Sequence, residues 1–289
     1  MIRTVLVPLD GSKAAEAVIP YVELIASRTG AAVHLLTVVH DENGDTKAAE
    51  ARAYLAERAA ALRPIPGSTS VKSGDEAQVI LAEADAGDAN LIAMSTHGRS
   101  GLMRWVLGSV ATKVLHAASR PLLLVRARDR GDGPPAVVGR ILVPLDGSQV
   151  SLSVLPYVEE LAEALGADIV LFNAVLPLDI YPGTEMTPVR VGTIIDDLLA
   201  QGQSFLAEVA REIEGRGKVK ARSVVTIGFP VDEVVRVAAE VNAGLIALAT
   251  HGRSGVNRWV MGSVADGVVR RCSLPCLLVR PQEAAGEES

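Results

Sequence analysis

The segment Val5-Leu6-Val7-Pro8-Leu9-Asp10-Gly11-Ser12 returns in the middle of the chain as Ile141-Leu142-Val143-Pro144-Leu145-Asp146-Gly147-Ser148. A second segment, Thr96-His97-Gly98-Arg99-Ser100-Gly101, returns near the end as Thr250-His251-Gly252-Arg253-Ser254-Gly255. Because both segments recur in the same order, the sequence indicates duplication of one domain. A chain of 289 residues is also long enough for two domains of roughly 100–200 residues each. We therefore predict a tandem protein built from two copies of one domain.

The boundary between the copies is marked by the segment Ala127-Arg128-Asp129-Arg130-Gly131-Asp132-Gly133-Pro134-Pro135. Its content of Gly, Pro and charged residues is typical of an exposed connection between domains. The polar residues after Gln282 are typical of a frayed terminus. We predict a first domain in residues 1–127, a linker in 128–138, a second domain in 139–282 and a flexible tail in 283–289.

Short apolar runs alternate with helical patterns inside each copy. The run Ile2–Pro8 is ended by a proline, which predicts a buried strand. Ser12 is a good helix N-cap and Gly30 a good helix end, so we predict one helix from Ser12 to about Thr29. Alternating strands and helices predict a parallel sheet with helices on both faces. The predicted fold class is α/β, with two tandem doubly wound domains of five strands each.

Composition narrows the function and the location of the protein. The formal net charge is −6 and the sequence pI is about 5.5, which disfavours a nucleic-acid partner. No apolar run approaches the roughly 18 residues of a membrane span, and the first residues show no cleavable signal pattern. Two cysteines in the whole chain fit a reducing cytosol. We expect a cytoplasmic protein with neither a membrane nor a nucleic-acid partner.

Cys272 and Cys276 lie in the segment Cys-Ser-Leu-Pro-Cys. No further metal ligand is apparent nearby, and the corresponding residues of the first copy, Ala118 and Leu122, are apolar. We expect buried thiols, with a redox or metal role as the alternative.

Two segments of each copy are expected to meet at one edge of its sheet. In doubly wound sheets, ligands bind beyond the carboxyl ends of the strands, where the strand order reverses. The segment Pro8–Ser12 follows the first predicted strand, and the segment His97–Ser109 follows the fourth. The second copy repeats both, as Pro144–Ser148 and His251–Ser263. These segments are the candidate binding site.

The longer segment carries the features of a phosphate-binding loop. Gly98 and Gly101 follow a buried strand, and Gly108-Ser109 opens a helix. Glycine lets the backbone approach a ligand, and the first amides of a helix attract anions. The loop is neither a Walker A sequence nor the Gly-x-Gly-x-x-Gly dinucleotide fingerprint. The second copy has the same candidates in Gly252, Gly255, Gly262 and Ser263.

Asp10 and Asp146 end the first strand of their copies, two residues after Pro8 and Pro144. A carboxylate beside phosphates is repelled unless a cation bridges them, so it fits ribose hydroxyls or an adenine donor better. The alternative is that the aspartate shapes the turn. Similarly, His97 and His251 either contact ribose or phosphate, or brace the loop through hydrogen bonds.

These residues resemble the ATP-binding branch of the universal stress protein family over nearly the whole chain, twice. The family pattern is Gly-x-x-Gly, nine further residues, then Gly and Ser or Thr. Its second and third glycines and the hydroxyl residue correspond to Gly98, Gly108, Ser109, Gly252, Gly262 and Ser263. The first glycine of the pattern is replaced by Ser95 in one copy and Ala249 in the other. Both replacements are small, so the backbone can still approach a ribose.

The resemblance implies ATP or ADP as ligand, with Mg²⁺ or Mn²⁺ on the phosphates. It assigns the strand-one aspartate of the family to Asp10 and Asp146, and a backbone contact to adenine to Val38 and Ala174. We expect the strand order 3-2-1-4-5 in each copy. The resemblance also implies that the halves pack like a homodimer of single-domain relatives, through their last strands, Leu122–Arg126 and Leu277–Arg280.

Three functions are open at this point. The first is a regulatory stress-response protein that binds ATP, with an unknown protein partner. The second is an enzyme, which would need a base, a metal-carboxylate cluster or a positioned lysine repeated in both copies; we find none, so only slow ATP hydrolysis remains open. The third is an interaction module without nucleotide.

Two structural questions are also open. The chain could pair again as a homodimer. The longer second-copy segment near Pro177–Thr193 could cover its site or pack on the surface.

Overall fold

The computed structural model describes residues 2–40, 44–96, 107–127, 137–176, 188–217, 219–250 and 261–281. Strands and helices alternate along both halves of the chain. The first half contains β1 (Thr4–Pro8), α1 (Lys13–Glu16), α2 (Ile19–Thr29), β2 (Ala32–Val39), α3 (Gly44–Ala61), β3 (Gly67–Ser73), α4 (Glu76–Ala86), β4 (Leu91–Ser95), α5 (Ser109–Ala117) and β5 (Leu122–Val125). The second half contains β6 (Arg140–Pro144), α6 (Gln149–Leu152), α7 (Leu155–Leu165), β7 (Asp168–Val175), α8 (Pro188–Gly215), β8 (Ala221–Ile227), α9 (Pro230–Glu240), β9 (Leu245–Ala249), α10 (Ser263–Arg271) and β10 (Cys276–Val279).

The strands form one continuous ten-stranded sheet in the order β3-β2-β1-β4-β5-β10-β9-β6-β7-β8. Within each half the strands are parallel, and the order is third, second, first, fourth, fifth. The order reverses between the first and fourth strands, which is where a doubly wound sheet opens a crevice. The predicted α/β class with tandem doubly wound domains is confirmed.

Two hydrophobic cores cover the opposite faces of the sheet. Successive residues of a strand point to opposite faces, so Leu123 lies in one core while Leu122 and Leu124 lie in the other. The first core packs α1, α2, α3, α7 and α8 against the sheet, and the second packs α4, α5, α9 and α10. Each core contains residues from both halves, so the halves share their hydrophobic interior. Among the described residues, no helix has the length and apolar character needed to cross a membrane.

The last strands of the halves pair with each other, as the family resemblance implied. β5 and β10 run antiparallel, with Leu123 opposite Leu277. These two residues occupy the same position of their respective strands, so a local twofold axis passes between them. The pairing is reinforced by α2 against α7 and by the Arg126 Nη2, which donates to the carbonyl of Arg270 at 2.6 Å. The arrangement is that of a symmetric dimer within one chain.

The single helix predicted from Ser12 to about Thr29 is wrong. Ser12 does cap a helix, since its hydroxyl accepts from the Ala15 amide at 3.1 Å. However, α1 ends at Glu16 and α2 begins at Ile19. Pro20 explains the break, because it has no N–H to donate and its ring conflicts with the carbonyl four residues earlier. The second half breaks between α6 and α7, where a proline again follows the first residue of the second helix.

The second half is longer after its second strand. Helix α8 has 28 residues where α3 has 18, and residues 188–193 of the longer segment belong to α8. Residues 177–187 lie outside the described part of the chain. Most of the predicted linker also lies outside it, but Val138 at its end is buried in the first core.

The outer edge of the first half carries a polar network. The Nδ1 of His34 lies 2.6 Å from Ser68 Oγ, and its Nε2 lies 2.8 Å from Ser70 Oγ and 3.2 Å from Glu83. At the matching place in the second half, Val170 and Val237 are buried in the core. The same scaffold therefore accepts either a hydrogen-bonded cluster or packed valines here.

Gly267 allows α10 to lie close to α9. A Cβ at this position would stand 2.7 Å from one methyl carbon of Val231 and 3.1 Å from the other. In an open helix, Gly→Ala stabilises by roughly 0.5–1 kcal/mol. At position 267 the added methyl group would overpack the contact with Val231, which costs about 1–3 kcal/mol of stability and outweighs that gain. We expect Gly267→Ala to lower the free energy of unfolding by about 1 kcal/mol, measured by denaturant titration.

Gly192 in α8 is the matched control, because a Cβ there has no atom within 4 Å. Gly192→Ala should therefore be neutral or stabilising. A Gly267→Ala protein as stable as Gly192→Ala would mean that the two helices do not approach as closely as described.

Candidate functional site

A cavity of about 310 Å³ opens at the carboxyl ends of the strands of the second half. It lies between β6 and β9, where the strand order reverses. The cavity brings together six residues that the sequence predicted for this half, which are Pro144, Asp146, Ala174, Ala249, Gly262 and Ser263.

Asp146 both shapes its turn and lines the cavity. Its Oδ1 accepts from the amide of Ser148 at 2.9 Å and from the hydroxyl of Ser148 at 2.6 Å. Gly147 between them has a φ of 84°, which favours glycine. Asp10 makes the same two bonds to Ser12 at the same distances. The two interpretations of this aspartate are therefore compatible, because the turn aims the carboxyl group at the cavity edge.

Polar side chains of the second strand in each half hold the backbone at the bottom of the site. The Nδ2 of Asn173 donates to the carbonyl of Leu145 at 2.8 Å, directly beside Ala174. In the first half, Thr37 Oγ1 donates to the carbonyl of Leu9 at 2.9 Å, beside Val38. Sequence analysis missed Asn173 and Thr37, because a polar residue at the end of a strand gives no sign of the carbonyl that it contacts.

The start of α10 is tied to the end of β9. The Gly262 amide donates to the Thr250 carbonyl at 2.8 Å, and the Thr250 amide donates to Val279 of β10 at 2.9 Å. Gly108, Thr96 and Val125 make the same chain of bonds in the first half, at 2.8 and 2.9 Å. The backbone thus places the first turns of α5 and α10 beside the ends of the fourth strands.

Gly262 and Gly108 are the N-caps of α10 and α5, and neither has a side chain that could cap the helix. The first amides of an α-helix lack partners inside the helix and carry a partial positive charge. The second-half cavity is therefore bordered on one side by backbone donors suited to an anion.

The central part of both glycine loops lies outside the described residues. This applies to the predicted site residues His97, Gly98, Gly101, His251, Gly252 and Gly255. The remaining first-half candidates occupy the same positions as the six residues of the second-half cavity, namely Pro8, Asp10, Val38, Ser95, Gly108 and Ser109.

Apolar side chains that the sequence analysis did not single out form the walls of the second-half cavity. Phe172 and Leu248 come from β7 and β9, and Val234 comes from α9. Leu176 and Pro230 close the side where β7 ends and α9 begins. Phe229, just before α9, is 55% exposed. The cavity therefore combines an apolar interior with backbone donors at one end, which is typical of a small-molecule site.

Polar and charged side chains lie at the corresponding place in the first half. His40 Nε2 lies 3.0 Å from Glu76, between the end of β2 and the start of α4. Lys113 of α5 donates to Asp75 at 2.8 Å. This hydrogen bond, with one from the Gln78 amide, holds the pKa of Asp75 below its usual value. The two halves thus share a backbone and differ in the chemistry beside it.

Cys272 and Cys276 are both buried, as the sequence predicted. Burial raises the pKa of each thiol, so both are protonated at neutral pH. Among the residues that the structure describes, no group of three or more His, Cys, Asp or Glu side chains is placed to hold a metal ion.

The fold and the cavity define a tandem doubly wound α/β protein with a ligand-sized site at a strand switch point. The model of the Universal stress protein family matches residues 1–126 and 138–280, one match for each half. The chain therefore belongs to the universal stress protein family, and the resemblance seen in the sequence is confirmed.

Individual relatives agree with this assignment. A universal stress protein of Methanocaldococcus jannaschii is 31% identical over 142 residues, which are 49% of this chain and 81% of the relative. One from Mycolicibacterium smegmatis is 23% identical over 96% of this chain and 97% of its own length. The crystal structure of a universal stress protein from Archaeoglobus fulgidus covers 98% of both chains with a TM-score of 0.70 at 19% identity. The tandem architecture is thus shared along the whole chain.

Proposed function

We propose that this protein binds ATP beyond the carboxyl ends of its strands and acts as a regulatory stress-response protein. The observation that carries the proposal is the second-half cavity, where apolar walls meet the start of α10 and its N-cap Gly262. A purine base needs apolar surface on its faces, and a triphosphate needs donors. The cavity offers these two environments side by side.

The charges suggest how the nucleotide lies. The phosphates belong at Gly262 and Ser263, where helix amides are available. Asp146 belongs at the ribose or base, because its carboxylate would repel phosphates. The base then lies against Phe172 and Leu248, with Ala174 providing backbone contacts. Gly108, Ser109, Asp10 and Val38 offer the equivalent contacts in the first half.

Mg²⁺ or Mn²⁺ is expected to arrive with the nucleotide. A triphosphate carries enough charge to bind such a cation through its own oxygens, and Mg²⁺ keeps several waters when it does so. The chain then needs to supply few ligands of its own.

A series of backbone hydrogen bonds connects the nucleotide site to the contact between the halves. Gly262 bonds to Thr250, and Thr250 bonds to Val279 of β10, which pairs with β5. We propose that binding orders the loops at this site and thereby changes how the protein associates with its partner. Binding rather than turnover is the proposed activity, since no lysine or carboxylate cluster beside the candidate phosphate site is repeated in both copies.

Purified protein should release ATP or ADP when it is denatured by heat, and added ATP should raise its melting temperature. At a nucleotide concentration of 100 times the Kd, one site adds about 2.7 kcal/mol to the stability of the folded state. The measurements are anion-exchange chromatography of the released small molecules and thermal melting with and without ATP.

An empty protein with no ATP-dependent shift would exclude nucleotide binding and favour an interaction module. Steady release of phosphate over many turnovers would instead identify an enzyme. Both outcomes contradict the proposal, and each points to a different function.

A further inference from the structure

We propose that the two nucleotide sites are unequal, with the second half binding the base of ATP at least about tenfold more tightly than the first. This inference rests on the proposed function and adds which half carries it. The inference is drawn from the residues that line each site on the side expected to face the base of ATP.

The decisive difference lies at two positions. In the second half, Leu176 follows β7 and Pro230 begins α9, and both line the cavity. In the first half, His40 follows β2 and Glu76 begins α4. Their side chains lie 3.0 Å apart, so an imidazole and a carboxylate occupy the place that the apolar wall occupies in the other half.

The contact between His40 and Glu76 is itself a weak barrier, because exposed polar contacts contribute little to stability. The larger effect is that an apolar base placed there must displace water from charged groups, which is costly. The same base placed against Leu176 and Pro230 removes apolar surface from water, which is favourable. The difference in affinity therefore comes from the chemistry of the wall.

Neighbouring positions of the first site also carry bulkier or more polar residues than those of the second. At the strand-two contact, Val38 of the first half is bulkier than Ala174, which occupies the same position in the second half. Asp75, paired with Lys113, replaces the half-exposed Phe229 just outside the wall. Each of these first-site residues is bulkier or more polar than its counterpart. The backbone hydrogen bonds of Gly108 and Gly262, by contrast, are the same in both halves.

The test exchanges the two walls in the full-length chain, with ATP as the probe. Leu176→His combined with Pro230→Glu introduces the histidine and glutamate pair into the second half. His40→Leu combined with Glu76→Pro introduces the apolar wall into the first half. Proline is suited to position 76, because it is the first helical residue and Asp75 before it is extended, with φ −71° and ψ 122°.

Calorimetry of the unaltered chain should find one tight and one weaker site for ATP. The second-half exchange should weaken the tight site at least about tenfold, and the first-half exchange should strengthen the weak one. Melting curves without ATP show whether each variant is folded, and the two exchanges test the proposal independently.

Two sites of equal affinity in the unaltered chain would overturn the inequality while leaving nucleotide binding intact. A tight site that keeps its affinity in the folded Leu176→His, Pro230→Glu variant would also overturn it. No binding to the unaltered chain would instead remove the proposed function, and the inequality with it.

Discussion

Replacing Gly262 with Val is expected to lower the affinity of the second half for ATP by about two orders of magnitude. Gly262 lines the cavity and caps α10 through its backbone. A valine side chain would occupy the space that a phosphate needs in order to reach the first amides of the helix. Charge-assisted hydrogen bonds contribute about 1.5–3 kcal/mol each, so losing one or two of them accounts for the expected effect.

The backbone of Gly262 makes this a clean test. Its φ of −60° and ψ of 145° lie in a region that any residue can adopt, so valine brings no backbone strain. The variant should therefore melt like the parent protein when nucleotide is absent. Gly108→Val is the matched control, because it alters the weaker site and should leave the tight phase of the calorimetric titration unchanged. Unchanged tight binding in folded Gly262→Val would mean that the phosphates lie elsewhere.

Replacing Leu123 with Ala is expected to lower the free energy of unfolding of the whole chain by about 2–5 kcal/mol. Leu123 is 1% exposed and lies opposite Leu277 on the local twofold axis. Its removal leaves a hole at the contact between the halves, in a core that both halves share. The measurement is unfolding in guanidinium, followed by circular dichroism. The parent protein should unfold in a single transition.

Leu277→Ala should have a similar effect, since the two residues occupy equivalent positions. Val137→Ala provides the control, because Val137 is 75% exposed and its truncation should change stability by less than about 0.5 kcal/mol. If both leucine variants cost no more than this control, β5 and β10 would not meet in solution.

Most of the fold could be predicted from the repeat and its periodicity. Buried parallel strands are continuous apolar runs, and the run ending at Pro8 has its copy ending at Pro144. The break between α1 and α2 was missed because the apolar pattern continues through it, although Pro20 carries the signal. The pairing of β5 with β10 followed from the family resemblance, since apolar residues alone do not say which neighbour a strand takes.

The candidate site was predictable where its function depends on the backbone. Glycines, a helix start and an aspartate turn leave a sequence pattern, and the structure gathers Asp146, Ala174 and Gly262 around one cavity. The walls were not predictable, because Leu176 or Pro230 reads as an ordinary apolar residue until the strands are placed side by side. Long-range polar contacts such as His40 with Glu76 have no characteristic spacing in the sequence, since they join different elements.

The pairing of Leu123 with Leu277 has a genetic consequence. In a dimer of identical chains, a residue on the twofold axis meets its own copy, and one mutation alters both sides of the contact at once. In this chain the two sides are encoded by separate codons, so either can change while the other is kept or adjusts to it. Fusion therefore frees each half to evolve alone, and the histidine network on one outer edge, opposite packed valines on the other, is a divergence that a homodimer could not acquire.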